Sequence, residues 1–156
     1  YQALDALKNQ DLEQAALMEQ LRRAKARIAL LIAVADISQF WDVFTVTNAL
    51  SEFADRAIQL ALHHVLNQGY KKKLIAIPGG LENCGITVLA LGKLGAQELN
   101  YSSDIDLAIF YDPTKIAYHG RLTLQQFLNQ ATHDFSNILQ QRTGAGYVFR
   151  VDLRLR

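Results

Sequence analysis

A single cysteine, Cys84, stands in a chain of 156 residues, so no internal disulfide can form. That usage suits a reducing compartment, and a cytoplasmic protein is the expectation. Proline occurs only twice, which leaves long stretches free for uninterrupted helices and strands. Neither sign of charge dominates: 16 Lys and Arg face 15 Asp and Glu, a formal net charge of +1. Such a balance supplies no general pull toward nucleic acid or a membrane surface, and neither is an expected partner. No apolar run approaches the ~18 residues of a membrane-spanning helix, and the N-terminus has no signal-peptide pattern. What the chain has in quantity is apolar residues, half of the total. That is enough for a real core, in one domain or in a small catalytic lobe with a helical attachment. The chain starts at Tyr1 and stops at Arg156 inside a strand-like pattern, which reads as a piece excised from a longer protein.

The first part, residues 1–69, reads as a helical segment. Leu17, Leu21, Ala24, Ile28 and Leu31 recur at helical steps and predict a helix over Leu12–Ala35. Arg22, Arg23, Lys25 and Arg27 fall mostly off that face. From Ile28 to Ala35 the residues are apolar all round, so this end is expected to be buried between neighbours. Asp36 to Trp41 reads as a turn. Asp42 is placed to cap a second helix, Val43–Leu66, whose stripe is Leu50, Phe53, Ala54, Ala57, Ile58, Ala61 and Val65. Gly69 suits the left-handed position that ends a helix. The adjacent pair His63 and His64 point different ways and are no metal pair.

Residues 70–85 read as a linker, with a solvated basic run at Lys71, Lys72 and Lys73 and turn formers at Pro78, Gly79 and Gly80. From residue 86 to 156 strand and helix patterns alternate. Strands are predicted over Ile86–Leu91, Ile105–Tyr111 and Tyr147–Leu153. A long helix is predicted over Leu124–Arg142, opened by a capping box of Thr123 and Gln126 and closed by Gly144 and Gly146. The fold class expected is α+β, a mixed sheet with helices packed on one face and a helical segment before it.

The chemistry concentrates in two stretches. The first strand ends in a turn at Gly92 and Lys93; ten residues later Asp104 and Asp106 open the next strand. In a strand, side chains two apart point the same way, with Cα atoms roughly 7 Å apart. Asp152 lies on the polar side of the last strand between Arg150 and Arg154. If the two strands are neighbours, three carboxylates share the face away from the helices and can hold one or two Mg²⁺ ions, which in turn hold phosphate oxygens. Each feature also has an ordinary reading. A D-x-D at a strand start is common, and Asp152 can be the salt-bridge partner of either arginine.

Taken together, Gly92–Lys93, the ten-residue gap, Asp104–Ile105–Asp106–Leu107 and Asp152 resemble the catalytic pattern of the nucleotidyltransferase superfamily that includes DNA polymerase beta. Lys93 stands where that pattern has a small residue. The stretches LGKLGAQELNYSSDIDL and GYVFRVDLRLR resemble, more specifically, the glutamine synthetase adenylyltransferase/adenylyl-removing family, and NYSSDIDL and YVFRVDLRLR its N-terminal, adenylyl-removing half. The resemblance implies a nucleotidyltransferase core over 86–156, truncated at its C-terminal end, and phosphorolysis of the adenylyl–tyrosine bond of adenylylated glutamine synthetase to give ADP. Asp104, Asp106 and Asp152 would be the catalytic, metal-holding residues. Gly92 and Lys93 would hold phosphate, with Ser103, Arg150 and Arg154 as further contacts. Mg²⁺ is the implied cofactor. Adenylylated glutamine synthetase, inorganic phosphate, an adenine nucleotide and a PII-type signalling protein are the implied partners. Two alternatives stay open: ATP-dependent adenylylation at the same type of site, and a non-catalytic docking module.

Overall fold

A computed structural model describes residues 1–76 and 83–155, apart from the side chains of residues 3, 9, 154 and 155. The chain opens with a short helix α1 (Gln2–Asp5) and a 3-10 turn (Ala6–Asn9), then two long helices, α2 (Gln14–Ile37) and α3 (Val43–Lys71). There follow β1 (Ile75–Ala76), β2 (Ile86–Leu91), the single-turn α4 (Gly92–Gly95), β3 (Ile105–Tyr111), β4 (Ala117–Tyr118), α5 (Leu124–Gln140) and β5 (Val151–Leu155). The fold class is α+β. A three-stranded mixed sheet has the order β2-β3-β5, with β2 antiparallel and β5 parallel to β3; β1 and β4 form a separate two-stranded sheet. No helix among the described residues is long and apolar enough to cross a membrane.

Local chemistry accounts for several boundaries. Asp42 caps α3 by accepting from Thr45 N–H at 2.8 Å, which satisfies a donor left free in the first turn. Thr123 and Gln126 form the expected reciprocal box at the start of α5. Both β2 and β3 run over the predicted residues, two short apolar runs.

The core is one apolar cluster that joins helices and sheet. Leu21 of α2, Ala54 and Ala57 of α3, Ile105 and Leu107 of β3 and Ile138 and Leu139 of α5 all belong to it and are at most 1% exposed. Burying a large apolar side chain of this kind contributes about 1.5–3 kcal/mol. The opposite face of β3, with Asp106 and Phe110, is left to solvent in part or wholly. Cys84 is buried in a smaller cluster with Leu66, Ile75, Ile116, Phe127 and Leu128.

Five expectations are corrected. Helix α3 does not stop at Asn67–Gly69 but runs to Lys71. Gly69 lies inside it, where a Cβ would stand 3.0 Å from Phe127 Cζ, and Lys73 takes the left-handed turn at φ 55°. The expected linker 70–85 holds β1, whose pairing with β4 supplies its backbone partners; Pro78, Gly79 and Gly80 fall outside the described residues. The end of α2 is buried on one side only: Ile32 is 2% exposed, whereas Leu30, Leu31 and Val34 are 59–68% exposed, so the stretch is not covered all round. Helix α5 ends at Gln140, short of Arg142, and Gly144 and Gly146 belong instead to a tight turn closed by two bonds between Thr143 and Gly146. Finally, β5 begins at Val151 and not at Tyr147. Val148 and Phe149 both donate N–H to Leu139 O, at 2.9 and 3.1 Å, and both are buried, so alternation fails there.

Arg22 explains where α5 ends. Only 2% exposed, it donates to four carbonyls: Met18 O and Ile138 O from Nη1, Gln141 O from Nη2 and Gly146 O from Nε, at 2.5–3.1 Å. A helix C-terminus presents unpaired carbonyls and partial negative charge, so a cation is favoured there. Burial pulls the Arg22 pKa below the ordinary guanidinium value. Arg22→Met should therefore cost about 3 kcal/mol in urea unfolding, since it leaves buried acceptors without a donor. Arg23→Met, at an exposed ion pair with Glu19, should stay within about 0.5 kcal/mol.

His63 and His64 supply a pH dependence. Burial lowers both pKa values; Lys8 and His64 push His63 further down, and Lys71 does so for His64 against Glu13 and Asp11. The unfolded chain then takes up protons first, near the ordinary histidine pKa of about 6.5. The stabilisation from these groups is present above that value and is lost as pH falls through the folded values. The urea midpoint should drop between about pH 7.5 and 5.0. A His63→Gln/His64→Gln variant should drop less.

Candidate functional site

Strands β3 and β5 are parallel and begin at one edge of the sheet, so residues near their starts come together. Asp106 is the Cα partner of Asp152. Adjacent strands lie about 4.8 Å apart, and both side chains point to the face away from the core. On the other side of β3, Leu91 at the end of β2 is the partner of Asp106, so the chain turns into α4 beside the same carboxylate.

Gly92 makes that turn possible. Its φ is 54°, a region that L side chains seldom adopt, and a Cβ there would sit 2.8 Å from Asp106 Oδ2. The missing side chain leaves one carboxylate oxygen open space beside the backbone. Lys93 follows on the exposed side of the turn.

The segment between α4 and β3 is tied down from the helices. Ser51, fully buried on α3, donates to Thr47 O and accepts from Leu99 N–H at 3.1 Å. Gln97 Nε2 donates to Asp55, whose carboxyl pKa is raised by burial. Tyr101 OH donates to Asp36 at 3.0 Å. Lys25 reaches from α2 to Val148 O at 2.5 Å and lies over the rings of Tyr147 and Phe149. Burial lowers the Lys25 pKa, and neighbouring Arg150 and Arg22 lower it further.

The structure brings Asp106 and Asp152 together with Gly92. Asp104 is engaged by a cation of the neighbouring strand. Asp104 lies just before β3, opposite Arg150 in the continued register, and accepts from Arg150 Nε. That bond raises the Arg150 pKa. Arg150 thus binds Asp104 rather than orienting Asp152. Its Nη2 donates to Ser102 O at 3.0 Å. Ser103 donates its hydroxyl to Asn100. Arg154 stands opposite Ala108 in the register, and its side chain lies outside the described residues. Among the described residues, no group of three or more Asp, Glu, His or Cys is gathered closely enough to hold a metal ion. The donor set at Asp106 and Asp152 still has the right chemistry for a hard divalent cation: carboxylate oxygens on one face, with room at Gly92.

The sequence reading missed Arg22, Lys25 and Ser51. Arg22 and Lys25 carried a signal, a basic pair three residues apart beside an apolar stripe. Ser51 carried only its place next to Leu50 on the buried side of α3.

Comparison with known proteins identifies relatives along the whole chain. A model of the glutamate-ammonia ligase adenylyltransferase family matches residues 1–156. A bifunctional glutamine synthetase adenylyltransferase/adenylyl-removing enzyme of Bradyrhizobium diazoefficiens is 47% identical over 147 residues, 92% of this chain and 15% of that protein. The enzyme of the same name from Rhodopseudomonas palustris is 49% identical over 142 residues, 89% of this chain and 14% of its own length. That from Rhizobium meliloti is 42% identical over 148 residues, 93% of this chain and 15% of its own length. The chain therefore spans about 15% of the length of these curated relatives. With a family match along its whole length and a sheet edge that pairs Asp106 with Asp152 beside Gly92, this chain belongs to the glutamate-ammonia ligase adenylyltransferase family.

Proposed function

We propose that this chain carries an adenylyl-removing site, at which inorganic phosphate displaces AMP from adenylylated glutamine synthetase. A phosphate oxygen forms a bond to the adenylyl phosphorus, the bond from phosphorus to the tyrosine oxygen breaks, and the phosphate's proton passes to that oxygen. The products are ADP and the free tyrosine. The observation that supports this most is the pairing of Asp106 with Asp152 at a glycine turn. The relatives' names, which include both adenylyl transfer and removal, support the substrate. The direction rests on the likeness of NYSSDIDL and YVFRVDLRLR to the adenylyl-removing half of that family.

Asp106 and Asp152 are the residues that would hold Mg²⁺, and Asp104 would join them if released from Arg150. The cation would offset the charge of the phosphate oxygens, the main need of phosphoryl-type transfer. The chain's own part is to bring two anions together and orient them. Lys93 on the exposed turn, with Arg150 at the strand edge, supplies positive charge on the approach side. A PII-type signalling protein is a proposed regulator by family resemblance. The reverse activity, adenylylation with ATP, is the second reading, because the relatives carry both names and a carboxylate pair serves either direction.

The test is a chimera in which this chain replaces the matching segment of the Bradyrhizobium diazoefficiens relative. Asp104→Asn with Asp106→Asn should abolish phosphate-dependent ADP release and leave ATP-dependent addition of AMP in place. Loss of addition instead would assign the site to transfer.

A narrower outcome concerns the turn. Gly92→Ala places a Cβ against Asp106 Oδ2 in a left-handed conformation, at a cost of about 1–2 kcal/mol. It should weaken Mg²⁺ binding roughly tenfold, read by calorimetry, which is the equivalent of about 1.4 kcal/mol.

A further inference from the structure

Asp104 and Arg150 form a built contact at the edge of the site. Arg150 Nε donates to Asp104 Oδ1, Nη2 donates to Ser102 O at 3.0 Å, and the Arg150 carbonyl accepts from Ile105 N–H at 3.0 Å. Side chain and backbone of one residue thus hold both flanks of Asp104. The register explains the position. Asp104 precedes Asp106 by two residues, and Arg150 precedes Asp152 by two, so all four lie on one face of the parallel pair. The ion pair sits roughly 7 Å along the strands from the carboxylate pair.

We propose that Arg150 is a built-in counter-ion, which occupies Asp104 while no divalent cation is bound and surrenders it when one binds at Asp106 and Asp152. The inference deepens the proposed function and rests on its metal-holding pair. Three features make the exchange physically reasonable. A guanidinium keeps its charge at every working pH, so its hold on Asp104 does not lapse by deprotonation and yields to a competing cation. Its side chain and that of Asp104 are 59% and 55% exposed, and ion pairs so open to water are weak enough to break without rebuilding the core. The planar fork bridges Asp104 and the Ser102 carbonyl at once, which an ammonium with one nitrogen does less well. Once released, the guanidinium remains at the mouth of the site as a cation facing an incoming phosphate.

The experiment measures Mn²⁺ affinity of the chain by water-proton relaxation, at fixed ionic strength, in a double-mutant cycle. Arg150→Gln should tighten Mn²⁺ binding about two- to fivefold, the worth of an exposed ion pair that no longer competes. In an Asp104→Asn background the same change should give no gain. Arg150→Lys should fall between the parent and Arg150→Gln. An equal gain with and without Asp104 would mean a general charge effect and overturn the proposal, as would unchanged or weaker binding in Arg150→Gln. Nuclear magnetic resonance of the unsubstituted chain gives a second readout. The Arg150 Nε–H should exchange with water faster as Mg²⁺ is added, and an unaltered rate at saturation would overturn the proposal. Asp106→Asn separates the two levels: Mn²⁺ affinity equal to the parent's would remove the metal-holding pair itself, and the proposed function with it.

Discussion

The buried Arg22 guanidinium is the contact on which the arrangement of the site depends. Among the described residues it has no carboxylate partner. Four carbonyls, from α2, from the end of α5, from Gln141 and from the Gly146 turn, hold it. An arginine so deeply placed is tolerable only because hydrogen bonds replace its lost hydration. In return it stops α5, clamps the turn that follows and orients the chain toward β5. Lys25, one turn further along α2, holds Tyr147 O and Val148 O in the same segment. The helical part of the chain therefore sets where the last strand begins, and with it the register that pairs Asp152 with Asp106.

A similar dependence holds on the other strand. The polar segment leading into β3 has few apolar anchors of its own, chiefly Leu94 and Leu99, 1% and 0% exposed. Ser51, Asp55 and Asp36 of the long helices supply its hydrogen-bond partners. Both acidic segments are thus positioned by groups more than 40 residues away, and the helices act as part of the site's framework. The carboxylates themselves stay at the edge, where water and cations can reach them.

Charge is distributed to match. Arg150 and the exposed Lys93 stand beside the carboxylates Asp104, Asp106 and Asp152. Beside the carboxylates the same face exposes Leu89, Leu91 and Phe110, 42–48% open.

Sequence alone determined the features that obey local rules. The bounds of β2 and β3 follow from short apolar runs of six and seven residues, bounded by the turn at Gly92 and by Asp104. The caps at Asp42 and Thr123 follow from donors that any first helical turn leaves free. The carboxylates and the glycine turn were legible from spacing, and the family from the same residues. Tertiary structure decided the rest, because each remaining feature depends on a partner distant in the chain. Helix α3 passes Gly69, whose missing side chain leaves room for the Phe127 ring. Helix α5 stops where Arg22 takes its carbonyls, and β5 starts late because Leu139 O takes two N–H groups first. The apolar end of α2 is exposed on one side while Ile32 is buried on the other, which periodicity cannot reveal where every position is apolar. Asp104 meets Arg150 because parallel pairing sets those two residues opposite each other, and strand register is a property of two segments that neither one carries alone.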